Sequence, residues 1–194
     1  IGETFANFSS KYNFQSSNVT LLTDKKELFS NKKTTITDKS NLYKLEKFRY
    51  FVEKEELKGE KILINTNYNL PTSDKIYFLN AIINLKKQSF FGSDVKIKIR
   101  KDIFEDTNND PRILGVSASS NINKTKINKA VFTSCQQNEK CVPWSNKAKE
   151  IIHDKERKEI AYTNALLKTY NLPVLYFPKF FHPDPTVKRR SGFL

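Results

Sequence analysis

Apolar and polar residues alternate with a period of two in many short runs along this chain. Val95-Lys96-Ile97-Lys98-Ile99 is the clearest: Val95, Ile97 and Ile99 point one way and Lys96 and Lys98 the other, as a half-buried strand requires. Val19-Thr20-Leu21, Phe48-Arg49-Tyr50-Phe51-Val52 and Lys61-Ile62-Leu63-Ile64 read the same way. Between the runs stand Asn, Asp, Ser, Lys and a few Gly, at spacings that suit short strands joined by turns. One window, Ser145 to Lys158, fits a helix through Ala148, Ile151 and Ile152. Its surroundings favour instead a strand, a charged turn at Asp154-Lys155-Glu156-Arg157 and a return strand. The expected fold is all-β.

A diffuse repeat sharpens that expectation. Glu27-Leu28-Phe29-Ser30, Glu56-Leu57-Lys58-Gly59 and Phe90-Phe91-Gly92 each precede a new alternating run, with 29 residues from Leu28 to Leu57 and 33 from Leu57 to Phe90. Upstream, Leu45, Phe48, Tyr50 and Val52 match Phe78, Ala81, Ile83 and Leu85, and a fourth, weaker copy starts at Ile113-Leu114-Gly115. Repeats that cannot bury their own apolar face stack into one elongated structure, here of antiparallel strands. Its inner face is expected to hold Phe48, Tyr50, Val52, Leu57, Ile62, Ile64, Ile83, Leu85, Phe90, Val95 and Ile97. These residues either close into a core or line an apolar trough that holds acyl chains.

Composition narrows the classes of function. The 194 residues are 38% hydrophobic and 12% aromatic, too apolar for a disordered tail, and no apolar run approaches the roughly 18 residues of a membrane-spanning helix. Net charge is +13, which first suggests a polyanionic partner: nucleic acid, an anionic membrane surface or a phosphorylated glycolipid. The charge is spread evenly. Residues 1–100 carry 18 basic and 11 acidic side chains, and residues 101–194 carry 16 and 10. Only Lys188-Arg189-Arg190 forms a cluster, so a general lysine bias of the composition accounts for the charge as well as nucleic acid does.

Catalytic and metal chemistry find little footing. His153 and His182 are the only histidines, and no metal-ligand spacing, phosphate loop or nucleophile-base pair is present. Asp102, Glu105, Asp106 and Asp110 lack calcium-loop spacing and read as a solvated loop. The expectation is a non-enzyme with no cofactor and no metal. Cys135 and Cys141 are too far apart for a CxxC motif. They fit a small disulfide loop, bonds to cysteines elsewhere, or two reduced thiols. The chain begins Ile1-Gly2-Glu3 without any Met and stops at Ser191-Gly192-Phe193-Leu194, so a processed protein or a fragment that continues is expected.

The last third carries the most specific text. It includes Val131-Phe132-Thr133-Ser134-Cys135, Pro143-Trp144, Ala148-Lys149, Ile160-Ala161-Tyr162 and Asn164-Ala165. Two longer pieces follow: Pro173-Val174-Leu175-Tyr176-Phe177-Pro178, then His182-Pro183-Asp184-Pro185-Thr186-Val187-Lys188-Arg189 and Ser191-Gly192-Phe193-Leu194. At these residues the chain resembles the lipopolysaccharide-assembly outer-membrane protein family, also called the LptD or organic solvent tolerance family.

The resemblance implies a periplasmic β-jellyroll (a β-taco) over residues 1–178 and a connector over 179–194, ahead of an outer-membrane β-barrel. It implies transport of lipopolysaccharide at the periplasmic face of the outer membrane, with the lipid received from a periplasmic bridge protein by edge-strand pairing and passed to the barrel. An outer-membrane lipoprotein partner would act through that barrel. In this setting Cys135 matches a cysteine that relatives use for disulfides to the barrel, with a local Cys135–Cys141 bridge as the alternative. Trp144 becomes a packing anchor near the barrel junction, and His182, Lys188, Arg189 and Arg190 lie at that junction. The competing expectations are a structural bridge or plug with a closed core and no lipid site, and a basic nucleic-acid module.

Overall fold

A computed structural model describes residues 4–8, 11–70, 73–99, 110–136, 143–184 and 187. Every regular element among them is a strand. Seven short strands come first: β1 (Thr4–Phe8), β2 (Tyr12–Ser16), β3 (Thr20–Leu22), β4 (Glu27–Ser30), β5 (Thr34–Thr37), β6 (Leu42–Leu45) and β7 (Lys47–Phe51). Eight long ones follow: β8 (Glu56–Asn65), β9 (Lys75–Asn84), β10 (Ser89–Lys98), β11 (Arg112–Ser120), β12 (Lys124–Thr133), β13 (Trp144–Asp154), β14 (Glu159–Thr169) and β15 (Leu172–Pro183). All belong to one open antiparallel sheet, with β8 to β15 side by side in chain order. The hairpin expected around Asp154–Arg157 is the β13–β14 pair, and Asp154 Oδ1 accepts the Arg157 N–H at 3.0 Å inside the turn.

β8 is where the sheet divides. Its first half, through Glu60, pairs with β7, and its second half, from Leu63, pairs with β6. Beyond β7 lie β4 and β3; beyond β6 lie β5, β2 and β1. Lys61, between the halves, has a left-handed backbone with φ 48°. Asp94 in β10, Lys129 in β12 and Asn164 in β14 share that conformation, with φ of 51°, 48° and 49°. Cross-strand register carries the four residues into one line across the sheet. That line is a crease.

At the crease, buried positions step by three residues instead of two: Phe78 to Ala81 in β9, Gly92 to Val95 in β10, Ile127 to Ala130 in β12 and Tyr162 to Ala165 in β14. In a straight strand such a slip would turn every later side chain to the other face. Here the extra outward residue accompanies the bend, so both halves of each strand present their apolar side to one interior. The sheet is thereby folded into two walls. Gly92 permits the close approach, because a Cβ there would strike the ring of Phe78.

The repeat seen in the sequence is this two-strand unit. Leu28, Tyr50, Leu57, Ile83 and Phe90 are successive neighbours in one inner row. The fourth copy, however, is not at Ile113. Ile113 lies in β11, which runs against β10, and it stands beside Ile97 in the other wall. The unit returns instead at Thr125 and Ile160, which continue the first row through Ser120 and His153.

β15 ends the sheet and carries Pro173, Pro178 and Pro183, where a missing N–H removes no bond from a further strand. It continues to Pro183, so residues 179–183 of the expected connector are paired with β14 in the sheet. One expectation needs correction. Asp110 is not part of a solvated loop: the 8% exposed Arg112 donates to its carboxylate at 3.3 Å and to its carbonyl at 3.0 Å. The buried guanidinium needs these oxygens, and it also bonds the Cys135 carbonyl. Asp102, Glu105 and Asp106 lie outside the described residues.

Candidate functional site

The two walls pack together around β2 and β7 and part further along to leave a cavity. Where they meet, the fully buried Phe14 of β2 lies with its ring centroid 5.9 Å from Phe48 and 5.3 Å from Tyr50, both on β7 of the opposite wall. The Tyr12 hydroxyl donates to Glu55 Oε2 at 3.1 Å, tying β2 to the turn after β7. Burial and the Glu55 carboxylate together hold that phenol above the usual tyrosine range.

Further along, the walls enclose a cavity of about 580 Å³ on the side away from the crease. Its floor is apolar, with Ile64, Ile76, Ile97 and Ile113 from one wall and Ile83, Phe90, Ile127, Ile151 and Ile160 from the other. Ile76 and Ile83 belong to the same strand, as do Phe90 and Ile97 and also Ile113 and Ser120, so β9, β10 and β11 line both sides. Around the mouth stand polar groups: Asn41, Asn67, Asp74, Asn84, Gln88, Lys155 and Asp184. The volume lies within the range of about 300–1,000 Å³ common for small-ligand sites. An apolar floor under a polar rim suits an amphiphile.

The inner-face residues expected from the sequence divide into two groups. Ile64, Ile83, Phe90 and Ile97 line the cavity. Phe48, Tyr50, Leu57, Ile62, Leu85 and Val95 are buried core residues, and Val52 packs against them partly buried. Trp144 opens β13 and stacks edge-on against Phe132 at 5.6 Å. His182 bonds the Tyr162 hydroxyl at 3.1 Å, and burial pushes that phenol up to about 12. The expected disulfide finds no support. Cys135 is a free thiol whose sulfur reaches the Trp144 carbonyl at 3.6 Å, and Cys141 lies outside the described residues. Lys188, Arg189 and Arg190 lie outside them too.

The sequence reading missed the polar part of the site. Ser120, Thr125 and His153 occupy the inner row that carries Leu57, Ile83 and Phe90 earlier in the chain. Ser120 Oγ and Thr125 Oγ1 share a hydrogen bond at 2.8 Å. His153 Nε2 contacts Asp184 Oδ2 at 2.5 Å, and Lys155 Nζ donates to Ser120 Oγ at 3.2 Å and to the Asn121 carbonyl at 2.9 Å. Thr125 sits two residues before Ile127 and His153 two after Ile151, on the same strand face, but only the apolar member of each pair marks that face as inner.

No protein-family model matches the chain. Over 70 residues it is 39% identical to the LPS-assembly protein LptD of Yersinia pestis bv. Antiqua, in strains Antiqua and Nepal516. It is equally similar to the protein of that name from Yersinia pseudotuberculosis serotype I (strain IP32953). The matched stretch covers 36% of this chain and 9% of each relative, so the chain spans about a tenth of the length of the curated relatives it matches.

Proposed function

We propose that this chain is a lipid-carrying module of lipopolysaccharide assembly, working at the periplasmic face of the outer membrane. The acyl chains of lipopolysaccharide lie in the cavity between the walls, the head group stays at the polar mouth, and no covalent bond is made or broken. The carrier extends through β15 to Pro183, and the residues after it serve as the connector to an outer-membrane β-barrel. The observation that carries this reading is the isoleucine-rich floor of the 580 Å³ cavity, set between walls that the fold leaves apart. Similarity to LptD supports the choice of lipid.

β1, β3 and β15 end the branches of the sheet, and the outer edges of β1 and β15 suit strand addition by the preceding bridge protein and by the following part of the assembly. An outer-membrane lipoprotein would join through the barrel. A photo-crosslinking residue at Ile83 or Ile97 should capture lipopolysaccharide in cells, detected as a shifted band with antibody to the lipid. Labelling confined to the outward positions Lys96 and Lys98 would overturn the proposal. A second reading, a structural bridge with a closed core, is favoured by the end around Phe14, where Phe14, Phe48 and Tyr50 are buried against one another. It predicts no capture at any position.

A further inference from the structure

We propose that Lys155, with the Ser120 and Thr125 hydroxyls beside it, forms an anion subsite at the mouth of the cavity that takes a phosphate on the head group of the lipid whose chains lie in the cavity. The inference rests on the lipid-carrying reading and adds where the head group binds. Lys155 lies in the turn between β13 and β14, among the residues that line the cavity. Its ammonium has three N–H donors, and two of them reach neutral oxygens, Ser120 Oγ at 3.2 Å and the Asn121 carbonyl at 2.9 Å. Those bonds hold the cation at the boundary between the isoleucine floor and water.

Desolvation by the surrounding protein lowers its affinity for the proton, and an anion seated beside it would offset that loss. Ser120 Oγ and Thr125 Oγ1 are bonded to each other and Ser120 Oγ also reaches the Asn121 carbonyl at 3.3 Å, so a phosphate oxygen that replaces one of these acceptors can take a hydroxyl proton. Two carboxylates line the same cavity. Asp184 is engaged by His153 Nε2, and Asp74 precedes β9 on the opposite wall. The near wall thus presents a cation and two hydroxyls directly above Ile127 and Ile151, which reads as a head-group position with its chain pointing down.

The test compares dodecyl phosphate with neutral dodecyl glucoside, both below their micelle concentrations, by calorimetric titration of the whole chain. The unmodified chain should bind both, the phosphate more tightly and with an affinity that falls as salt rises. Lys155→Gln should weaken dodecyl phosphate about tenfold, as expected for one lost charge-assisted hydrogen bond, and leave dodecyl glucoside unchanged. Lys155→Arg should keep most of the phosphate preference, and an unchanged melting temperature in both variants excludes a folding effect. If both probes bind and Lys155→Gln alters neither, the anion subsite is overturned while the lipid-carrying reading stands. If neither probe binds, both fall together.

Discussion

The short strands and the long strands close the same interior in different ways. Around β2, β4 and β7 the inner positions are Phe14, Leu28, Phe48 and Tyr50, large enough to reach across and fill the space, and each is at most 4% exposed. From β11 onward the equivalent row carries Ser120, Thr125 and His153, and the row nearest the crease carries Gly115, Ala130, Ala148 and Ala165. Ser120, Thr125 and His153 line the cavity, while the alanines near the crease are buried. One strand architecture therefore yields a plug at one end and a container further along, and side-chain volume makes the difference.

The largest test of this comparison is Phe14→Ala. Removing a fully buried ring that packs on both Phe48 and Tyr50 should cost about 3–5 kcal/mol in denaturant unfolding. The partly buried Ile160→Ala, on the open side, should cost well under half as much. Equal losses at the two sites would show that the ends are packed alike.

Next comes Gly92→Ala, expected to cost about 1–3 kcal/mol, because the added methyl group meets the Phe78 ring. Unchanged stability would mean that the crease has slack. A smaller effect is expected at the crease itself. Lys129→Val, at φ 48°, should lose about 1 kcal/mol, because β-branching adds crowding in a left-handed conformation, while Lys129→Gly, without a Cβ, should be at least as stable as the parent.

The smallest effect is alkaline. Burial pushes both Tyr50, at the closed end, and Tyr162, in the open part, up to about 12. Their folded pKa values lie above the unfolded value of 10.0, so the stability they contribute is complete below pH 10. It declines as pH rises from there towards 12. Denaturant midpoints measured at pH 8, 10 and 11 should fall over the last interval, and Tyr50→Phe and Tyr162→Phe should each flatten the decline. A midpoint that holds constant to pH 11 would contradict this account.

Much of the fold was legible because a strand with one buried face writes its period into the chain. Val95, Ile97 and the β13–β14 hairpin were readable for that reason, and so was the repeat, since each two-strand unit returns a large side chain to the same row. The misplaced fourth copy shows the limit: Ile113 matches in residue type but belongs to the strand of opposite direction. Of the candidate site, Ile83 and Ile97 were visible as alternating apolar positions. Ser120, Thr125 and His153 were not, because a polar residue at an inner position looks in sequence like any residue on a solvated face.

Period-two alternation, turn residues and the placement of proline are local properties, and the sequence by itself determined from them an all-β chain of paired strands. Whether the sheet stays flat or folds was left open. The crease is made by Lys61, Asp94, Lys129 and Asn164 in a left-handed conformation that no described glycine adopts. Likewise, whether opposite inner rows touch or leave a cavity depends on the summed volumes of residues such as Phe14 and Tyr50, or Ile76 and Ile160, that are far apart in the chain. Only the tertiary structure brings those volumes face to face.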